Sequence, residues 1–71
     1  MTTEYAVIIE RGDRTFGAWV PDLPDCIAAG KSGAEVESRI REAIAFHIEG
    51  LRAAGEPVPE PVSRVTTVAV A

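Results

Sequence analysis

The chain has one cysteine and one histidine among its 71 residues. A lone cysteine excludes an internal disulfide, and one Cys with one His cannot supply the usual ligand set of a structural zinc site. Basic residues are also scarce, seven Lys and Arg against eleven Asp and Glu, for a formal charge of −4. That balance repels phosphate, and no basic run carries interleaved aromatics, so direct nucleic-acid binding by this chain is not expected. No apolar run approaches the ~18 residues of a membrane span. The opening Met-Thr-Thr-Glu-Tyr5 has neither a basic nor an apolar leader region. With a single free thiol, these absences predict a cytoplasmic protein with no membrane association. There is no phosphate-cradling glycine loop, nucleophile motif or metal-ligand spacing, so the sequence implies no cofactor, no metal and no catalytic residues.

What remains is one small domain, 1–71. A chain of this size buries only ~60–65% of its unfolded surface. Its core supplies no more than ~3–5 kcal/mol, and without disulfide or metal the expected supplement is another chain. The reading is a homodimer or higher oligomer. Acidity favours a basic partner by accelerating encounter.

Residues 4–10 contain Tyr5-Ala-Val-Ile-Ile9, apolar on both faces, as central strands are. Gly12 and Asp13 suit a hairpin turn, and Phe16-Gly-Ala-Trp-Val20 returns as a second strand over 15–20. Pro21 and Pro24 then make a stiff corner before a third strand at 26–30. Ser32 and Glu35 have capping-box spacing, opening a helix predicted over 33–54. Val36, Ile40, Ala43, Ile44, His47 and Leu51 recur at steps of three and four, one stripe against a sheet. Glu35 with Arg39, and Glu37 with Arg41, stand at the favourable i,i+4 spacing. Gly55 suits a left-handed helix stop, and Pro57 prevents resumption. The alternate prolines of Pro57-Val-Pro-Glu-Pro61 form a stiff connector, and the β-branched run at 65–70 reads as a fourth strand. The expected fold is α+β, β-β-β-α-β. A mostly antiparallel sheet would have order 3-2-1-4, with the final strand beside the first and the helix on one face.

Few side chains here carry chemistry. His47 lies in the apolar stripe with no partner group, and reads as packing. Cys26 sits in an apolar strand without basic neighbours, and reads as a buried hydrophobe. Asp22 and Asp25 read as turn caps, although with Glu10 they are the acids a metal-dependent nuclease would need. Trp19 alternates away from Ala18 and Val20, which places it on the sheet face the helix does not cover. Phe46 lies off the helix stripe. Large aromatics outside the core mark a surface hidden by another chain, so Trp19, Asp22, Leu23 and Phe46 are the candidate partner-binding residues.

Trp19-x-Pro-Asp-Leu-Pro-x-Cys26, the Ser-capped helix and His47-Ile-Glu-Gly-Leu51-x-x-x-Gly55-Glu-Pro-Val-Pro-Glu-Pro61 together resemble the HicB-like antitoxin family, from about Tyr5 to Pro61. The resemblance implies a partial ribonuclease-H-like fold without a working nuclease site. It further implies an antitoxin that occludes the active site of a small, basic, mRNA-cleaving HicA-like toxin. Many members continue into a DNA-binding segment; this chain stops at Ala71, which predicts a short form without one. Asp25 stands where the family usually has glycine. The alternatives are an oligomeric interaction module with another partner, and a metal-dependent nuclease-like enzyme.

Overall fold

The computed structural model describes residues 3–71. Three strands, β1 (Ile8–Arg11), β2 (Phe16–Trp19) and β3 (Ile27–Gly30), precede one helix, α1 (Gly33–Ala53). The strands form an antiparallel sheet of order β1-β2-β3. The chain is therefore α+β, with the first three strands adjacent as expected.

The sheet is shorter than its apolar runs because of the corner that follows β2. The Val20 amide points to β3 and donates to the Cys26 carbonyl (3.2 Å), so the next group turned toward β1 is at Pro21, which has no amide to give. Two successive turns follow. Leu23 N–H donates to the Val20 carbonyl (3.1 Å) and Cys26 N–H to the Leu23 carbonyl (3.2 Å). Each turn has proline at its second position, where a fixed φ is already correct. The second turn needs a left-handed third residue, and Asp25 supplies it with φ 64°. Glycine does this without a Cβ penalty, which gives a physical reason for a glycine in that place.

Alternation across the register sorts the sheet into two faces. Ala18, Val20 and Cys26 are buried beneath α1 with Val36, Ile40 and Leu23, while Tyr5, Val7, Phe16, Ala28, Ala43 and Ile44 pack around them. At the start of α1 the Ser32 hydroxyl accepts the Glu35 amide (3.1 Å). The far end closes with Glu56 N–H on the Leu51 carbonyl (2.9 Å) and Gly55 N–H on that of Arg52 (3.1 Å). With Gly55 at φ 72°, this is a Schellman stop. The ion pairs Glu35–Arg39 (3.0 Å) and Glu37–Arg41 (2.9 Å) both form on the exposed side. They contribute only a few tenths of a kcal/mol each, so packing of the apolar stripe holds the helix.

The fourth strand expected at 65–70 does not form. Val65, Val68 and Val70 are exposed and the segment has no strand pairing. The sheet therefore ends at β1, without the order 3-2-1-4 or the four-stranded ribonuclease-H-like unit. Strand-forming composition gains free energy only against a paired neighbour, and the chain just before this segment is drawn to the β2–β3 corner instead, as described below.

Two substitutions test this architecture. A Cβ built on Gly30 would lie 2.8 Å from the Val36 amide nitrogen, whereas one on Gly17, on the opposite face, meets nothing within 4 Å. Gly30→Ala is expected to cost ~1–3 kcal/mol in urea unfolding, and Gly17→Ala to cost less. At the corner, Asp25→Gly should equal or exceed the parent in stability, while Asp25→Val should lose about 1–2 kcal/mol; equal stabilities for these two would refute the left-handed assignment.

Candidate functional site

The face of the sheet opposite α1 has no element packed on it among the described residues. Pairing places Ile8, Trp19 and Ile27 in one row across all three strands, with Glu10, Gly17 and Ala29 in the next row on the same face. Trp19 is 42% exposed and Ile27 71%. The Trp19 indole N–H donates to Glu10 Oε1 (2.9 Å), which fixes the ring across the strand and ties down the face's carboxylate. The result is an apolar stripe with an oriented aromatic and one acid beside it, the composition of a protein-docking surface.

The other candidates fall elsewhere. Leu23 is 1% exposed; it plugs the core from the proline corner and presents nothing to solvent. Phe46, 79% exposed, stands on the flank of α1, on the other side of the sheet from Trp19. Asp22 is engaged within the chain. Its Oδ2 accepts the amides of Val62 (3.1 Å) and Ser63 (3.0 Å), and its Oδ1 accepts the Ser63 hydroxyl (2.9 Å). The Tyr5 hydroxyl donates to the Pro59 carbonyl. The connector after α1 is thus tied first beside the approach to β1 and then at the β2–β3 corner.

These contacts set the chemistry of the acids. The Ser63 amide, the strongest influence, holds the Asp22 carboxyl below the usual aspartate value; desolvation opposes it, and the Ser63 hydroxyl and Val62 amide add to the lowering. Glu10 is bound to Trp19 and Asp22 to the connector, so the three acids of the nuclease alternative do not converge. No group of three His, Cys, Asp or Glu among the described residues is placed to hold a metal. Desolvation raises the thiol pKa of buried Cys26, which keeps it protonated and unreactive. His47 is half-buried on the helix, and no hydrogen bond to its side chain is formed among the described residues.

A family model described as HicB-like antitoxin of bacterial toxin–antitoxin system matches residues 5–70. The chain belongs to this HicB-like antitoxin family. Two relatives match most of the chain. A UPF0150 protein of Thermoplasma acidophilum is 36% identical over 92% of this chain and 96% of its own length. An uncharacterized protein from the rep–hol intergenic region of Haemophilus phage HP1 is 38% identical over 79% of this chain, which covers 42% of the phage protein. No solved structure gives a significant match. HicB-like membership suggests an antitoxin role, which is non-enzymatic, within a toxin–antitoxin pair. No helix among the described residues is long and apolar enough to cross a membrane.

The sequence pointed to Trp19 but missed Ile8 and Ile27 as its neighbours on the open face. The signal was the alternation of Cys26-Ile27-Ala28, in which a buried Cys26 turns Ile27 outward.

Asp22 gives a pH test. Because its folded pKa is lowered, the stability it contributes is fully present above the unfolded aspartate value of ~3.9 and is lost as pH falls through the folded value. The amide shifts of Val62 and Ser63 should therefore titrate together, with a midpoint below ~3.9. A midpoint at or above that value would contradict the clamp.

Proposed function

We propose that this HicB-like chain is an antitoxin module that neutralises a small, basic, mRNA-cleaving toxin of HicA-like character by covering its active site. The observation that carries the reading is the Ile8–Trp19–Ile27 row on a sheet face with no helix over it. An apolar centre with an aromatic anchor supplies affinity once water is excluded. The chain's net charge of −4 steers a basic partner toward it. Cytoplasmic residence follows from that role, because mRNA is the toxin's target. Asp22 and Leu23 act indirectly, by holding the corner from which β2 and β3 project. Phe46 lies on a separate surface, outside this interface.

The test is co-expression with the product of the adjacent small gene. Growth arrest by that product should be relieved by the parent chain, and the two should co-purify. Trp19→Ala should weaken the complex by about 30-fold, the ~2 kcal/mol of a central aromatic anchor, with little change in urea stability because the ring is part-exposed. Unrelieved growth arrest, or an affinity indifferent to Trp19, would overturn the proposal.

A further inference from the structure

The free edge of β1 has a groove beside it. Val7 and Ile9 on the strand side, with Ile40 and Ile44 on α1, line a cavity of about 500 Å³. Tyr5 also borders it, and Glu4, Glu37 and Arg41 bring charge to its rim. Ile9 is exposed although it alternates toward the helix, because nothing in the described chain lies outside β1. A strand added along this edge would satisfy outward backbone groups and fill the groove with its alternate side chains.

The chain contains a segment of that character. Residues 65–71, Val-Thr-Thr-Val-Ala-Val-Ala, carry no charge and are β-branched at five of seven positions. Thr66, Val68 and Val70 fall on one side of such a strand. Six residues in extended form span ~20 Å, about the length of an average strand. Val65, Val68 and Val70 are all exposed.

The residues just before this segment are held away from the chain's own β1 edge. After α1 the connector touches Tyr5, at the approach to β1, and then crosses to Asp22 between β2 and β3, where Val62 and Ser63 are held by three hydrogen bonds. Pairing with its own β1 would need a reversal of the chain at that point and loss of the clamp. With the clamp kept, residues 65–70 leave the molecule from the β2–β3 corner. We propose that they pair with the β1 edge of a second copy, Val68 and Val70 entering the groove between β1 and α1, while the second copy's segment does the same in return. The exchange is isologous, so a two-fold axis closes the assembly as a dimer. It leaves the Trp19 face free.

Analytical ultracentrifugation of the full chain should give a dimer. Val68→Asp sets a carboxylate against Val7, Ile9 and Ile44, in a groove that already holds Glu4 and Glu37, twice per dimer, and should weaken dimerisation by at least ~100-fold while the helical circular dichroism persists. A second measurement does not depend on that variant. Ile9→Cys protein mixed with Val68→Cys protein should form a disulfide-linked heterodimer under mild oxidation, the native Cys26 being buried. A monomeric parent chain, a dimer indifferent to Val68→Asp without cross-linking, or a disulfide that closes within one chain in the Ile9→Cys, Val68→Cys double variant would each overturn the exchange.

Discussion

The arrangement depends on the seven residues from Val20 to Cys26. Two overlapping turns reverse the chain, and their three backbone hydrogen bonds leave Leu23 pointing into the core. That placement fixes the offset between β2 and β3, and hence which side chains face α1. A one-residue slip of β3 would turn Cys26, Ala28 and Gly30 to the open face and Ile27 toward α1. Two prolines reduce the freedom the corner loses on folding, and so favour this geometry before the helix docks.

A fold so determined has two sides of unlike character. Under α1 the fully buried side chains are few and mostly small, with Leu23, Val36 and Ile40 the largest. Such a core leaves little surplus stability. The opposite face keeps Ile8, Trp19 and Ile27 in a row where water still reaches them. In an isolated chain that row is a liability for solubility, and under the proposed antitoxin role it is the surface a partner would cover.

Local signals were legible where a short stretch decides the outcome. The Ser32 cap, the Gly55 stop, the α1 stripe, both ion pairs and the Trp19 orientation each follow from spacing within a few residues. What the sequence did not reveal depends on distant partners. Residues 65–70 have strand composition, but composition does not say which edge they meet, and Asp22 directs the preceding residues elsewhere. Asp22 read as a turn cap and a partner-binding candidate because its partners lie some forty positions later. Leu23 read as a partner-binding candidate because it stands in a proline loop, and only the folded corner turns it into the core. The pairing of Ile27 with Trp19 needed the register, which the length of the corner sets.

The Asp22–Ser63 contact joins residues 41 positions apart, the longest separation of any side-chain link among the described residues except Tyr5 to Pro59. The hairpin and the helix turns close over far shorter spans. Because the chain entropy lost on closing a loop rises with its length and is recovered only when the contact is made, the hairpin and helix assemble before the connector is tied down. On that order of events, the sheet and helix are in place while the residues after α1, 54–71, still swing freely.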